Sequence, residues 1–296
     1  MEQLQVTSSK LTKSLLEKLN SFYATFYDKN NRIFNENYLP WLLNNNPVGN
    51  GKVITITLDN ELISSMLIVP IEVKSTIDIK KGYFVTDVLS HPNHRDKNLF
   101  VRMIRFLVTR VKEENSFIIG HPNKNAIPGW KRTKMEFQSP LQSLLYIGNL
   151  RSIFKIKKIK LKTLSQLEEI NNYLCSPESN LIINADAKYL YWRYLQHPTN
   201  NYDVVAHYID NNFVGITVEV KTKKLIKKVI HSDVITDYQQ LVYTSSLAKM
   251  FILPQNFSTK TGHRLSNKDI TYFFTSYNEL DEDIEHISLT LASSDV

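Results

Sequence analysis

The stretch that decides the fold is "HPNHRDKNLF", residues 91–100. It follows the apolar run "YFVTDVLS" (83–90) and precedes "VRMIRFLVTRVKEEN" (101–115). From residue 99 onward, apolar side chains recur at the spacing of a helix with one face in a core. They are Leu99, Phe100, Met103, Ile104, Leu107, Val108 and Val111. The order predicts a strand, then a basic turn, then a helix.

This basic turn has two interpretations. A helix N-terminus offers free backbone N–H groups and the positive end of the helix dipole, and Arg95 and Lys97 add charge, so the turn suits a pyrophosphate. Glycine would ease close approach of such a ligand, but Asn98 and Phe100 occupy the two positions where glycine is expected. Asn is the non-glycine residue that best tolerates positive φ. The alternative is an ordinary strand–helix connection with Asn98 as the helix cap.

Length and composition describe an ordinary globular protein. The chain has 296 residues, enough for one large or two ordinary domains, and is 42% hydrophobic, 11% aromatic and 22% charged. No apolar run approaches the roughly 20 residues of a membrane-spanning helix. The N-terminus "MEQLQVTSSK" has no apolar signal core. These features predict cytoplasmic residence and no membrane span.

The single cysteine, Cys175, excludes an internal disulfide and a Cys-rich metal site. We expect it to be a small buried side chain near a helix end, and a nucleophile is the alternative. No metal site is predicted.

Excess positive charge is confined to two segments. The net charge is +7, but "RSIFKIKKIKLK" (151–162) carries six basic residues and "KTKKLIKK" (221–228) carries five, with no acid in either. Without these, 25 basic residues face 29 acidic ones, which argues against a nucleic-acid partner. Lys158, Lys160 and Lys162 alternate with apolar residues, which predicts a strand with a solvated lysine face that protects a sheet edge. Binding to a polyanion, or to the phosphates of a nucleotide-linked substrate, is the alternative.

Periodicity predicts a first α/β unit that ends near residue 150. Its elements are a helix over 10–26, a hairpin over 51–70 around "DNE", a strand over 83–90, the helix after the basic turn, a strand over 116–120 and a helix-like turn. These elements are enough to form one sheet covered by helices.

The second half repeats this order without visible repetition of sequence. Helices are predicted over 163–174, 186–198 and about 237–250, and strands over 203–209, 213–220, about 226–235 and 269–276. Ser165 and Glu168 have capping-box spacing, and Asp186 is the expected cap of the second of these helices. The order predicts two tandem α/β units, residues 1–150 and 151–296.

The segment "HPNHRDKNLFVRMIRFLV" (91–108) resembles the acetyl-CoA-binding motif of the GNAT superfamily of N-acyltransferases. In that motif an Arg or Gln begins a turn that has glycines at the third and fifth following positions, often with Pro three residues before. Arg95 and Pro92 match, whereas Asn98 and Phe100 replace the glycines. A bulky residue at the second glycine position is familiar in a subgroup with "kGLF"-like turns.

Two further segments carry the resemblance. "FIIGHPNKNAIPGW" (117–130) resembles that subgroup's fifth strand and "PN" loop, and "YLYWRYLQHPTNNY" (189–202) resembles a segment of two-domain relatives. The resemblance covers about residues 35–140. It implies an α/β fold with a mixed sheet, built as two tandem GNAT-like units. It also implies an acyl-CoA-binding domain over 1–150 and a second, acceptor-binding domain over 151–296.

The resemblance implies a place for acetyl-CoA or another acyl-CoA as cosubstrate. The pyrophosphate is expected on the N–H groups of residues 97–102, and the pantetheine arm between splayed fourth and fifth strands near residues 89–91. The implied cofactor-binding residues are Leu89, Ser90, Arg95, Asp96, Lys97, Asn98, Leu99, Phe100 and Asn123. For Asn123 a turn-forming role is the alternative.

Catalysis in the family needs a deprotonated amine, an oxyanion donor and a stabilised leaving thiolate. Asp87 and His91 are the ionisable groups nearest the turn and the candidate catalytic bases, with a backbone-bonded Asp and a solvated His as alternatives. The family tyrosine that protonates the thiolate is matched in position by Trp130, which cannot act as an acid.

Three residues are candidates for substrate binding, His121, Trp130 and Arg193. His121, on the loop after the fifth strand, is better suited to binding than to acid catalysis. Arg193 suits an acceptor phosphate or carboxylate, and packing over aromatic rings is the alternative.

The predicted function is an acyl-CoA-dependent N-acyltransferase, in the first place an N-acetyltransferase, that acts on a small amine. A nucleotide-linked amino sugar of bacterial surface polysaccharide synthesis is the suggested acceptor, and a homodimer is a possible assembly. One alternative is a degenerate GNAT-like binding domain, which the missing glycines and tyrosine favour. Another is a Fem-type aminoacyl transferase, which the Lys-rich strands favour and the coenzyme A-like turn opposes.

Overall fold

The computed structural model describes residues 3–75, 78–133, 135, 137, 141–174, 181–221, 226–254, 263–270, 273–276 and 287–288. Its strands are β1 (Leu4–Ser9), β2 (Lys52–Leu58), β3 (Glu61–Lys74), β4 (Ile79–Ser90), β5 (Phe117–Gly120), β6 (Leu141–Ile147), β7 (Lys157–Leu161), β8 (Leu181–Ile183), β9 (Asp203–Ile209), β10 (Asn212–Lys221), β11 (Lys227–Val234), β12 (Ala248–Pro254), β13 (His263–Ile270), β14 (Phe273–Ser276) and β15 (Ile287–Ser288). Its α-helices are α1 (Lys13–Tyr23), α2 (Tyr38–Leu43), α3 (Leu99–Glu113), α4 (Ile127–Lys131), α5 (Leu150–Lys155), α6 (Leu164–Glu169), α7 (Ala187–Leu190) and α8 (Gln239–Tyr243). The expectation for Cys175 lies outside the described residues.

Two tight turns explain where the strand pairs form. Asp59 and Asn60, between β2 and β3, have φ of 48° and 72°, and Asp210 and Asn211, between β9 and β10, have φ of 50° and 66°. Asp and Asn tolerate this left-handed conformation, and two such residues in succession make a hairpin turn whose twist matches that of paired strands. The predicted hairpin over 51–70 is confirmed, and the predicted strands over 203–209 and 213–220 also pair as a hairpin.

The chain divides into two compact units. Described residues within Met1–Val73, Ile79–Gln138 and Tyr272–Glu285 form the first unit, and those within Lys74–Asp78, Ser139–Thr271 and His286–Val296 form the second. The predicted α/β class with mixed sheets is confirmed. The assignment of domain roles to 1–150 and 151–296 stays a prediction.

The first unit contains a mixed sheet in the order β1-β2-β3-β4-β5-β14. β2 pairs antiparallel with β1 and β3, β5 pairs parallel with β4, and β14 pairs antiparallel with β5. Helix α3 joins the parallel strands and buries the apolar stripe predicted from the sequence, and burying such a stripe is the main source of helix stability in proteins. Its buried members are Leu99, Met103, Ile104, Leu107 and Val111, in one core with Ile54 and Met66.

The second unit contains a mixed sheet in the order β13-β6-β12-β11-β10-β9-β7. β11 and β12 pair parallel and are joined by α8, whereas the other neighbours pair antiparallel. β8 pairs parallel with β15. The core of the second unit contains three neighbouring aromatic rings, those of Tyr146, Tyr243 and Phe251. The ring centroids lie 5.1 Å apart for Tyr146 and Tyr243 and 4.1 Å apart for Tyr243 and Phe251.

The predicted helix over 237–250 is wrong for most of its length. A 3₁₀ helix at Thr236–Tyr238 and the short α8 are followed by strand β12. The apolar run of β12 pairs with β6 on one edge and with β11 on the other. Periodicity does not distinguish a short buried strand from a buried helix, which explains the error.

Two smaller predictions also need correction. The capping box of α6 uses Thr163 and Gln166 rather than Ser165 and Glu168, because the helix begins at residue 164. The predicted strand over 269–276 is two strands, β13 and β14, which belong to different sheets.

Asp186 is confirmed as a cap, since its Oδ1 accepts from the backbone N–H of Tyr189 at 2.8 Å.

Candidate functional site

The turn between β4 and α3 contains one residue in the left-handed conformation, Asn98. A 3₁₀ helix covers Pro92–Lys97, and Asn98 follows with φ 53° and ψ 37°. Asn98 occupies the cap position of α3, but its side chain makes no capping hydrogen bond. Its contribution is therefore its backbone conformation, which Gly or Asn adopts at low cost.

Backbone donors at the start of α3 point out of the helix. The first intrahelical bond runs from the N–H of Arg102 to the carbonyl of Asn98 at 3.1 Å. The N–H groups of Leu99, Phe100 and Val101 precede it, and no acceptor among the described residues bonds them. The expected anion-binding range of 97–102 thus narrows to three donors at residues 99–101, because the Arg102 N–H is used by the helix itself.

Charged residues flank these donors in the sequence. Arg95 is exposed and Lys97 is half-buried. Arg102 holds the turn in shape, because its Nε donates to the carbonyl of Lys97 at 3.0 Å. Asp96 is exposed in the same turn, and its negative charge would oppose an anion. Cations and helix N–H groups together outweigh it, so the turn suits an anion.

Strand β4 extends further along the sheet than its partner β5. Their pairing runs from Gly82↔Phe117 to Val85↔Gly120, where β5 ends, while β4 continues to Ser90. Beyond Val85 this edge of β4 is not paired with β5, and no other strand among the described residues pairs with it there. An extended arm of a ligand could follow this edge by forming strand-like hydrogen bonds.

The backbone of β4 near this opening alternates between two edges. The carbonyl of Leu89 accepts from the Ser64 hydroxyl at 2.6 Å, and the N–H of His91 donates to the carbonyl of Ile63 at 2.8 Å. Both groups therefore serve β3. Because successive residues of a strand direct their backbone groups to opposite edges, residues 88 and 90 face the opening. The predicted role in cofactor binding thus suits the backbone of Ser90 better than that of Leu89.

Asp87 lies in this open part of β4 with unusual backbone geometry. Its φ of 48° is in the left-handed region, which costs a residue within a strand about 1 kcal/mol or more. Its Oδ2 accepts from the Thr86 hydroxyl at 3.1 Å. Strain of this kind collects at functional sites, where it aims a side chain in a required direction.

Two tyrosines, Tyr23 and Tyr27, lie close enough to Asp87 to feel its charge, and the sequence did not indicate either of them. Burial, with a smaller contribution from the Asp87 carboxylate, raises the pKa of Tyr27 to about 12. The same two causes raise the pKa of Tyr23, whose hydroxyl accepts from Ser65 at 3.4 Å. Both phenols therefore keep their protons near neutral pH. The segment at the end of α1 carries no motif that marks it, so only the fold shows that it lies beside β4.

His91 is less suited to act as a base than the sequence suggested. Its Nδ1 accepts from the N–H of Asn93 at 3.3 Å, so in the neutral ring Nε2 carries the proton. The ring also contacts those of Phe26 and His94, with centroids 6.2 and 5.5 Å away. A base needs a free lone pair, and the one on His91 is already engaged. Asp87 is therefore the better candidate.

The loop after β5 places His121 and Asn123 close to the end of the parallel pair. His121 packs 6.0 Å from the ring of Phe84, and its removal from water lowers its pKa to about 4. The ring is therefore neutral at physiological pH. The Asn123 side chain accepts from the N–H of Ala126 at 2.9 Å, which is the turn-forming alternative.

Trp130 and Phe100 pack together in the core of the first unit. Trp130 is 2% exposed, and its ring meets that of Phe100 edge to face at 5.3 Å. Phe100 also lies against Gly129, where an added Cβ would come within 2.8 Å of the ring. The bulky residue at the second glycine position is thus a packing residue, and the structure places Trp130 in the core rather than on a substrate surface.

Arg193 belongs to the second unit. It is buried in a π-helical turn at Tyr191–Leu195, and its guanidinium lies 5.9 Å from the ring of Trp192. This geometry matches the alternative of packing over aromatic rings.

A buried polar cluster in the second unit was not anticipated from the sequence. Glu219 bonds Lys249 at 2.9 Å and Lys227 at 2.6 Å, and these lysines lower its pKa to about 2 despite its burial. His207 and Thr217 extend the cluster, since His207 Nε2 lies 2.8 Å from the Thr217 hydroxyl, which donates to Glu219 at 3.3 Å. Its members come from four strands, β9 to β12, and meet only when these strands align.

The predicted solvated face of β7 needs correction at Lys158. This side chain turns inward to bond the carbonyl of Ser245 and the hydroxyl of Ser246, and burial followed by the charge of Lys249 lowers its pKa to about 8. Lys160 remains exposed and pairs with Asp203 at 2.8 Å. β7 is an edge strand, as the lysine pattern predicted.

The described part of the chain shows neither a metal-binding cluster nor a membrane-spanning helix. No group of three or more His, Cys, Asp or Glu is placed there to hold a metal ion. None of the helices described is long and apolar enough to cross a membrane.

No protein-family model and no curated protein matches the sequence. Solved structures do match the fold. A conserved protein of unknown function from Enterococcus faecalis V583, described as a probable N-acyltransferase, matches with a TM-score of 0.64 at 10% identity over 93% of this chain and 73% of that chain. A GCN5-related N-acetyltransferase from Kribbella flavida matches with a TM-score of 0.64 at 10% identity, over 93% and 72% of the two chains. Eis1 from Mycobacterium abscessus matches with a TM-score of 0.60 at 12% identity, over 93% and 74%.

These likenesses establish the class of fold. The chain has the fold of the GCN5-related N-acetyltransferases, the GNAT fold, as the resemblance of its basic turn implied. At such low identity the likeness extends to architecture, so the activity has to be argued from the residues themselves.

Proposed function

We propose that this protein is an acyl-CoA-dependent N-acyltransferase, in the simplest case an N-acetyltransferase. The observation that carries the proposal is the set of three N–H groups at residues 99–101, which follow left-handed Asn98 at the start of α3 and come directly after Arg95 and Lys97 in the chain. Such a turn binds the pyrophosphate of coenzyme A through backbone donors, with the two cations adding charge-assisted hydrogen bonds. The shared fold with known N-acetyltransferases supports this choice of ligand.

The open edge of β4 would seat the rest of the donor. The pantetheine arm contains amide groups, which can pair with the backbone of residues 88 and 90 in the manner of an added strand. This arrangement would bring the thioester close to Asp87, which lies in the same open part of the strand.

The reaction joins the acceptor nitrogen to the acyl carbon. The neutral amine attacks the thioester carbonyl, the new C–N bond forms, the C–S bond breaks, and the nitrogen loses a proton while the thiolate gains one. Asp87 would accept the proton from the amine as general base. Tyr27 retains its proton near neutral pH and would donate a hydrogen bond or a proton to the departing thiolate, in place of the family tyrosine that Trp130 replaces.

The acceptor is a small amine in this proposal. A carboxylate at Asp87 attracts an ammonium group, and the rings of Phe26 and Tyr27 offer a surface for a cation or a sugar face. A nucleotide-linked amino sugar is the specific acceptor that we propose, and cytoplasmic location and a homodimer stay predictions.

Calorimetric titration with acetyl-CoA tests the donor site. We expect saturable binding by the wild type, and Arg95→Ala should weaken it by about 1.5–3 kcal/mol, the usual contribution of a charge-assisted hydrogen bond. Arg105→Ala is the matched control, because Arg105 is an exposed arginine on α3 away from the turn. Equal effects of the two variants would show that only general charge matters.

A thiol-release assay with a panel of amines then tests the reaction. Amino-sugar nucleotides, free amino sugars, amino acids and polyamines are the acceptors to compare. Binding of acetyl-CoA without thiol release on any amine would favour the degenerate binding domain. Binding of aminoacyl-tRNA in place of acetyl-CoA would favour the Fem-type alternative, and no acetyl-CoA binding by folded wild type would contradict the proposal.

A further inference from the structure

Four large apolar side chains are exposed at one corner of the second unit. They are Ile147, Leu150, Phe154 and Leu247, which are 59%, 74%, 84% and 74% exposed. Single exposed apolar residues are common on protein surfaces, but a contiguous group of them marks an interaction surface.

The backbone brings these four residues together. Ala248 pairs with Ile147 across β12 and β6, and the N–H of Gly148 donates to the carbonyl of Leu247 at 3.0 Å. The C-terminal end of β6 then leads directly into α5. Leu150 and Phe154 are four residues apart on that helix and therefore share a face. One short stretch of chain and the turn that it contacts thus carry the whole group.

Three basic residues lie close to this apolar group in the sequence. Arg151, Lys155 and Lys157 are all exposed. The segments 147–160 and 244–250, which contain the apolar group and these basic residues, include no Asp or Glu. The exposed side chains that these two segments contribute are therefore apolar or positively charged, apart from uncharged polar ones. We call the four apolar and three basic residues the apolar–basic corner.

We propose that the apolar–basic corner docks on the surface of an anionic lipid bilayer. Phe154, Leu150 and Leu247 would insert at the boundary between headgroups and acyl chains, as the apolar face of an interfacial helix does. Arg151, Lys155 and Lys157 would lie at the level of the lipid phosphates, where negative surface potential attracts juxtaposed cations. The protein would then act as a peripheral membrane protein, held without a spanning segment.

Two other occupants fit the corner less well. A symmetric contact with a second copy of the chain would bring the same three cations of each copy together with no acid to offset them. Nucleic acid satisfies the cations, but single-stranded recognition uses stacking on aromatic rings, and three of the four apolar residues are aliphatic. A bilayer of anionic lipid satisfies both the charge and the apolar surface.

Vesicle co-sedimentation tests this proposal on the full chain. We expect binding to phosphatidylcholine vesicles that contain phosphatidylglycerol, weak binding to phosphatidylcholine alone, and loss of binding at high salt. Leu150→Ser combined with Phe154→Ser and Leu247→Ser should lower the partition coefficient by more than about tenfold. Arg151→Gln combined with Lys155→Gln and Lys157→Gln should do the same and abolish the salt dependence.

Matched controls separate the corner from general surface hydrophobicity. Tyr173→Ser combined with Ile235→Ser removes two exposed apolar side chains elsewhere in the second unit and should leave vesicle binding unchanged. Melting curves of all variants check that each is folded. Equal binding to neutral and anionic vesicles, or no binding, would overturn the proposal. So would sedimentation data in which the apolar variant loses self-association, or titrations in which RNA alone binds the corner.

Discussion

Each unit has one parallel strand pair that is joined through a helix, and the two pairs share an order of elements but differ in the turn that follows the first strand. In the first unit β4 leads through left-handed Asn98 into α3, a helix of 15 residues with Arg95 and Lys97 beside its start. In the second unit β11 leads through a 3₁₀ turn with an acid, Asp237, into α8, a helix of five residues. Residues 235–243 contain no Lys or Arg.

The strands themselves behave alike in both units. β4 continues beyond its last pair with β5, and β11 continues beyond its last pair with β12, which is Val229↔Phe251. An opening between parallel strands therefore comes with the topology, whereas an anion site needs free helix donors, a left-handed residue and cations at one turn. Only the turn of the first unit combines them among the described residues, so we assign the donor to that unit.

The largest expected effect is on catalysis. Asp87→Asn should lower kcat by roughly 10²–10⁴-fold, the usual contribution of a general base, while acetyl-CoA affinity stays unchanged. Asn tolerates positive φ as Asp does, so the backbone at this position should persist. Asp237→Asn in the corresponding turn of the second unit is the control and should leave kcat unaltered. A variant at Asp87 that keeps the wild-type rate would remove this residue from the mechanism.

The next largest effect is on stability and concerns the buried cluster of the second unit. Glu219→Gln leaves the ammonium of Lys249 buried without its counter-charge, so we expect a loss of about 3–5 kcal/mol in the free energy of unfolding, measured in urea. Glu17→Gln, at an exposed position on α1, should change it by less than about 0.5 kcal/mol. Equal losses would mean that the cluster contributes little.

The pH dependence of this cluster has a definite sign. Because its lysine neighbours lower the pKa of Glu219 to about 2, the folded state keeps this carboxylate ionised at pH values where the unfolded chain protonates it. Its stabilisation is therefore complete above pH 4.5 and is lost as the pH falls from 4.5 toward 2. Glu219→Gln should flatten the stability curve over this interval. A variant whose curve parallels that of wild type would contradict the assignment.

Prediction from sequence succeeded where the pattern was local. The stripe of α3, the basic turn and the tolerance of Asn98 for positive φ all follow from residues within one segment. It failed where distant strands decide the outcome. The apolar run at 248–254 is a strand because β6 and β11 lie on either side of it, and Lys158 turns inward because Ser245 and Ser246 accept from it.

For the candidate site too, some features follow from the local sequence and others depend on the tertiary structure. Asp87 was identified by its nearness to the turn, but its left-handed backbone and the company of Tyr23 and Tyr27 depend on where α1 packs. His91 was chosen for its chemistry, and the hydrogen bond that engages its Nδ1 became evident only from the geometry of the turn. Spacing in sequence thus indicates a candidate site, whereas the tertiary arrangement distinguishes the better candidates among its residues.

A smaller effect sharpens the role of the turn. Asn98→Gly should keep or improve acetyl-CoA binding, because Gly reaches positive φ without strain. Asn98→Val should weaken binding by about 1–3 kcal/mol, since a β-branched residue resists the left-handed conformation and the three donors then lose their orientation. Asn115, which follows the C-cap of α3 and has a φ of 50°, provides the matched control. Asn115→Val should lower the melting temperature without a selective loss of acetyl-CoA binding. If both Val variants lose acetyl-CoA binding to a similar extent, Asn98 affects binding only through the stability of the fold.

The smallest expected effect tests whether the basic edge of the second unit takes part in donor binding. Replacing Lys158, Lys160 and Lys162 together with Gln should leave acetyl-CoA affinity nearly unchanged, because the proposed donor site lies on the other unit's turn. Lys160 and Asp203 form an exposed pair, and such pairs contribute about 0–1 kcal/mol to stability. Burial and the charge of Lys249 lower the pKa of Lys158, so its neutral replacement relieves the repulsion with Lys249 but loses the hydrogen bonds to Ser245 and Ser246. Calorimetry on this variant beside Arg95→Ala measures the contrast. A loss above roughly tenfold, or about 1.4 kcal/mol, in the lysine variant would mean that the charge of the second unit reaches the coenzyme, and the assignment of the donor to one turn would then be wrong.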